Sequence, residues 1–111
     1  MKVRELMDKM GLTLFSGESS LDKDISGGYV SDLLSDVMGN AEEGHVWITL
    51  QSHKNIMAVA SLKDLAAIIL VKGQAPDTET MAHSIEEQVP ILGTDQEAFD
   101  TAGKLYQLLN Q

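Results

Sequence analysis

The sequence predicts an α/β fold: three layers, α/β/α, around a mostly parallel sheet of about four or five strands. Three observations carry this. Short β-branched or aliphatic runs alternate with amphipathic segments almost throughout, and the connections between them are short. The stretch 66–71, Ala-Ala-Ile-Ile-Leu-Val, is continuously apolar, as a strand covered on both faces must be. No linker or low-complexity tract interrupts the pattern, so 1–111 reads as one domain.

Val3, Leu6, Met7 and Met10 recur at helical spacing, and Gly11 can end that first helix. Residues 12–16 form a short strand, followed by a polar loop at 17–20. A second extended piece near Asp24-Ile25 runs into Gly27-Gly28, where a tight turn with positive φ is expected. Val30, Leu33, Leu34, Val37 and Met38 then mark a helix, with Ser31 as its N-cap and Gly39-Asn40 closing it. The run 46–50, Val-Trp-Ile-Thr-Leu, is a strand, and 52–62 a helix packed closely on the sheet. After the 66–71 strand, Pro76-Asp77 opens a helix with Met81, Ala82, Ile85 and Val89 as its buried stripe. Residues 89–92 make a short strand bounded by Gly93. Thr94-Asp95-Gln96-Glu97 has the form of a capping box, and the last helix is expected to bury Phe99, Ala102, Leu105, Tyr106 and Leu109.

Composition narrows the function classes. The apolar share of 43% and charged share of 23% are ordinary for a globular chain. Seventeen acids against eight bases give a net charge of −9, and Arg4 is the only arginine. The bases are scattered singly, without the cationic clusters that grip nucleic acid or an anionic membrane surface, so neither partner is expected. The acidity is read as a solubility device. With no cysteine there is no disulfide, thiolate metal site or cysteine nucleophile, and no secretory signal or membrane span appears, which fits a cytoplasmic protein.

Asp24-Ile25-Ser26-Gly27-Gly28, followed at once by 29–38, resembles the signature segment of the DRTGG domain family. The runs 46–53 and 59–66 resemble the rest of that family, and the similarity extends over about Val3 to Leu108. The resemblance implies a fold like the N-terminal domain of HPr kinase/phosphatase and the middle domain of long phosphotransacetylases. It also implies a regulatory or ligand-sensing module, found beside CBS domains or free-standing, some members encoded near iron-only hydrogenase or NADH-dehydrogenase-like components. Two positions depart from the family pattern: Ile25 stands where the family has arginine, and Ser26 where it has threonine. Ile25 removes a fixed charge that could grip a carboxylate or phosphate. No catalytic residue of the kinase or transferase relatives carries over.

The candidate site residues follow from both lines. Ser26, Gly27 and Gly28 could let a ligand approach backbone amides, against the turn as the plainer reading. Gln51, His53 and Asn55, with Thr49 and Ser52, are polar groups beyond the Trp47 strand, where parallel sheets bind ligands. Thr94 and Asp95, after the last strand, are expected to join them, although helix capping is the first role for Thr94. His45, His53 and His83 make no metal-ligand spacing, and neither a phosphate loop of the G-x-x-x-x-G-K-[ST] form nor a G-x-S-x-G elbow is present. The expectation is therefore a non-catalytic module with no cofactor or metal. It would bind a small, nucleotide-like ligand and act on a partner encoded nearby, as a homodimer; the alternative is an interaction subunit without a ligand, docking onto a redox or signalling complex.

Overall fold

The computed structural model describes residues 1–111. Five helices, α1 (Val3–Met10), α2 (Leu34–Asn40), α3 (Asn55–Leu62), α4 (Thr78–Glu87) and α5 (Ala98–Leu109), surround five strands. These are β1 (Thr13–Ser16), β2 (Gly27–Val30), β3 (His45–Thr49), β4 (Ala67–Leu70) and β5 (Ile91–Gly93). The sheet order is β1-β5-β4-β3-β2, with β1 antiparallel to β5 and every other pair parallel. The sheet is thus mostly parallel, with β1 and β2 as its edges.

Side-chain alternation along the strands builds a core on each face. Val46, Ile48, Ala67 and Ile69 meet Val3 and Leu6 of α1 and Leu105 of α5 on one face. Trp47, Ile68 and Leu70 meet Val37, Ile56, Met57 and Ala60 of α2 and α3 on the other. β3 and β4 are buried on both sides, which is why their sequences are so uniformly apolar.

Several expectations are corrected. Gly27 and Gly28 do not form a positive-φ turn; they are strand residues, paired in register with His45 and Val46. The reason is packing, because a Cβ at residue 28 would stand 2.7 Å from Leu105 Cδ2. Val30 ends that strand instead of starting the helix, and is 50% exposed. The N-cap of α2 is Leu33, not Ser31; the Ser31 hydroxyl accepts from the Leu33 amide two residues on, and the exposed Leu33 lies outside the helix it was expected to anchor.

The capping box does not form either. α5 starts at Ala98 with Glu97 as an N-cap lacking a side-chain bond, while Thr94 Oγ1 accepts from the Gln96 amide at 3.2 Å. The helix faces are also turned from the apolar stripe. α4 buries Thr80 and Ser84 and leaves Ala82 and Ile85 exposed; α5 buries Thr101 and Leu105 and leaves Phe99 and Tyr106 exposed. Short hydroxyl side chains allow close approach, and two of these three are bonded locally. Ser84 Oγ donates to the Val89 carbonyl and accepts from Ser16 Oγ, and Thr101 Oγ1 donates to the Glu97 carbonyl.

Candidate functional site

The parallel strands place their carboxyl ends at one edge of the sheet, and the candidate residues divide between that edge and the outer side of β2. At the end of β3, Asp32 acts as a clasp. Its Oδ1 accepts from Thr49 Oγ1 at 2.8 Å and from the Leu50 amide at 2.7 Å. Gln51 Nε2 donates to the Asp32 carbonyl at 2.9 Å, and the Gln51 amide donates to Thr49 Oγ1. Thr49 and Gln51 are therefore engaged in joining β3 to the loop after β2.

His53 and Asn55 lie beyond this clasp, both exposed. Asn55 opens α3 and borders a shallow groove of about 410 Å³ between α3 and α4, shared with Met57 and His83. Nearby, Lys54 pairs with Glu79 at 3.2 Å, and Asp77 accepts from the Thr80 amide at 2.7 Å as the N-cap of α4. The Thr80 hydroxyl and amide, with smaller help from His53 and Lys54, hold the Asp77 carboxyl below its usual range. Of these contacts the amide is the one with bonding geometry, since the buried Thr80 hydroxyl has no partner.

Thr94 and Asp95 sit apart from His53 and Asn55, in a cleft of about 290 Å³ at the ends of β4 and β5. Its loops are laced together: the Gly73 amide donates to the Thr94 carbonyl, the Lys72 amide to the Gln96 carbonyl, and the Thr94 amide to the Leu70 carbonyl. Lys72 and Gly73 take positive φ there, folding the chain back over the strand end.

Ser26, Gly27 and Gly28 line neither of these. They form one wall of a third groove, about 420 Å³, between edge strand β2 and α5. Its apolar lining includes Val30, Ile48, Leu105 and Tyr106, and its polar lining Ser26, His45 and Asn110. The Ser26 hydroxyl donates to the Glu43 carbonyl at 2.6 Å, which fixes the loop beside it. His45 Nδ1 accepts from the Glu42 amide, and the ring's Nε2 lies 3.8 Å from the Glu42 carboxylate and 3.2 Å from where a Cβ on Gly27 would be, on the face of β2 opposite Leu105. Tyr29 stacks on His45, centroids 6.5 Å apart, and its hydroxyl donates to Asp36 at 2.8 Å. The Asp36 carboxyl is held below its usual range by the hydroxyls of Ser31 and Tyr29, with the Asn40 amide adding to them; the same contact pushes the Tyr29 hydroxyl up.

His45, Tyr106 and Asn110 of this groove were not among the sequence candidates. The signal that could have found them is the glycine pair itself: a strand with two adjacent glycines needs something large packed over it, and α5 supplies Leu105 and Tyr106. No group of three or more His, Asp or Glu side chains is arranged so that it could hold a metal ion.

The family model for the DRTGG domain matches residues 5–108. The chain belongs to the DRTGG domain family. Its fold is similar to a solved structure of the CBS and DRTGG domains of the regulatory region of Clostridium perfringens pyrophosphatase, complexed with the activator diadenosine tetraphosphate. The TM-score is 0.67 at 16% sequence identity, covering 93% of this chain and 44% of that one, so this chain spans less than half the length of the matched chain. No curated protein sequence matches it. In this DRTGG domain Ile25 is a core residue, packed among Val3, Leu6 and Leu21, with its amide donating to the Met1 carbonyl. The family's motif arginine thus gives way to an apolar side chain that serves the core beneath α1.

Proposed function

We propose that this DRTGG domain is a non-catalytic regulatory module that binds a small, nucleoside-like ligand in the groove between β2 and α5 and conveys its occupancy to a partner protein. The observation that carries the reading is that the motif glycines line a mostly apolar groove that also carries a few polar groups, Ser26 and Asn110 among them. Such pockets, mostly apolar with a few convergent polar atoms, are the usual form of small-molecule sites. A flat heterocycle suits the Leu105, Tyr106 and Val30 surfaces. Ser26 Oγ, whose proton goes to the Glu43 carbonyl, can accept from its edge, and the Asn110 side chain, which spends one N–H on the Tyr106 carbonyl, keeps an acceptor and a second N–H. No lysine or arginine lines the groove, so the nucleoside portion, not a phosphate, provides the recognition. The pyrophosphatase regulatory region with its dinucleotide activator supports the choice of ligand class. A thermal-shift screen against adenosine, AMP and ATP tests the ligand part. A rise in Tm that is lost in Tyr106→Ala supports it; no rise at millimolar concentration removes it.

A second reading has its own observation. The outer edge of β2 has no strand partner, and Val30 and Tyr106 beside it are 50% and 72% exposed. An open edge flanked by apolar side chains can take a strand from another chain, which fits a homodimeric interaction subunit. Sedimentation showing a monomer at high concentration would remove the homodimer.

A further inference from the structure

The cleft at the ends of β4 and β5 is separate from the β2–α5 groove; α5 contributes Thr101 and Lys104 to the one and Leu105 and Tyr106 to the other. Its chemistry differs as well. Only two of its twelve lining residues are apolar. Asp95 and Lys104 take part in none of the ion pairs of the structure, and the side chains of Thr13, Gln74 and Gln96 are likewise exposed and spend no hydrogen bond on the protein. The walls carrying these free groups are fixed, since the loops bond to each other through Gly73, Thr94 and Gln96. Phe15 lies beside Gly93, where a Cβ would collide with its ring, and is the one aromatic residue lining the cleft.

We infer that this cleft binds a neutral ligand bearing adjacent hydroxyl groups, a sugar or polyol. The reasoning is one of complementarity. A carboxylate accepts from two neighbouring hydroxyls, amide and hydroxyl side chains both give and accept, and an ammonium donates to the remaining oxygens. An aromatic face covers the apolar C–H side of such a ring. A phosphorylated or carboxylated ligand fits poorly, because the single cation, Lys104, is opposed by Asp95 in a chain of net charge −9. A volume of about 290 Å³ lies at the lower end of small-molecule sites and suits one sugar ring. The inference stands whether or not the β2–α5 groove binds a nucleoside.

The test is a two-dimensional NMR titration of the nitrogen-15-labelled full chain with D-ribose, myo-inositol, adenosine and ribose 5-phosphate. Saturable shifts with ribose or inositol should concentrate at Gly73, Thr94, Asp95 and Gln96, and leave Gly28 and Tyr106 unmoved. Asp95→Ala should weaken this binding roughly tenfold or more, the effect of losing hydrogen bonds to a charged acceptor. Because Asp95 is exposed and has no partner, its removal should leave the Tm unchanged. Adenosine moving the cleft residues as ribose does would assign the hydroxyls to a nucleoside's ribose. Absence of saturable shifts with any neutral probe would overturn the inference. So would equal affinity in Asp95→Ala, or tighter binding of ribose 5-phosphate than of ribose.

Discussion

Leu105 Cδ2 occupies the space above Gly28, 2.7 Å from the position a Cβ there would take. This one contact sets α5 against β2 and thereby shapes the groove on which the functional proposal rests. Gly28→Ala should therefore destabilise the fold by about 1–3 kcal/mol through overpacking. Leu105→Ala alone should cost about 2–5 kcal/mol. In the double variant the alanine at 28 gains room, so the two losses should sum to less than their parts. Urea unfolding of the four proteins measures the coupling; strict additivity would mean that the two residues do not meet.

The Asp32 clasp makes a second prediction. Asp32→Ala removes the acceptor of both the Thr49 hydroxyl and the Leu50 amide, and should lower stability by about 1–2 kcal/mol. Gln51→Ala removes a single exposed bond to the Asp32 carbonyl and should cost less. If chemical denaturation showed Gln51→Ala as the larger loss, Gln51 would have a structural role not visible in these contacts.

Lys23 reaches between the ends of two helices, its Nζ donating to the carbonyls of Leu65 and Gln88 at 3.0 and 2.9 Å. Lys23→Met keeps the apolar stem and removes both bonds, for an expected loss of about 1–2 kcal/mol. Burial holds the Lys23 ammonium below its ordinary value of 10.5, against a smaller opposing pull from Asp64. In the pH window below 10.5 the unfolded chain then binds more of this proton than the folded one, so stability from this group rises with pH there. The deficit of Lys23→Met relative to the parent protein should accordingly grow as pH climbs toward that value. A deficit that shrinks would contradict the assignment.

Asp36 and Asp77 act in the same sense, but in the acid range. Both carboxyls are held below their ordinary value of 3.8, Asp36 first by the Ser31 hydroxyl and Asp77 first by Thr80. Their contribution is present above that value and fades as pH falls through the lower folded-state range. The Asp77→Ala variant should show a flatter stability profile in acid than the parent, measured by thermal unfolding across pH. An unchanged profile would detach Asp77 from the acid response.

How much of this was legible in the chain depends on what each residue touches. β3 and β4 were readable because burial on both faces leaves only apolar choices for positions such as Ile48, Ile68 and Ile69. Gly27-Gly28 was not, because a glycine pair reads the same whether it turns or lies flat under a distant helix, and Leu105 is far away in sequence. The faces of α4 and α5 were misjudged for a related reason. Thr80, Ser84 and Thr101 look polar, yet they are 0–1% exposed, while Phe99 is 87% exposed. Hydrophobic periodicity cannot see that a short hydroxyl side chain, bonded locally as in Ser84 and Thr101, packs closer than a phenyl ring. At the site, the strand-end rule pointed toward Gln51, His53, Asn55, Thr94 and Asp95, whereas His45 comes beside Ser26 only through β2–β3 pairing and Tyr106 and Asn110 only once α5 has docked.

The claim that the proposed regulatory function rests on is that the β2–α5 groove receives a ligand. Titrating labelled protein with adenosine while following the backbone amides tests it most directly. The account predicts saturable shifts gathered at Gly27, Gly28, His45 and Tyr106, abolished in Tyr106→Ala. Shifts absent at millimolar adenosine, or scattered away from the groove, would contradict it.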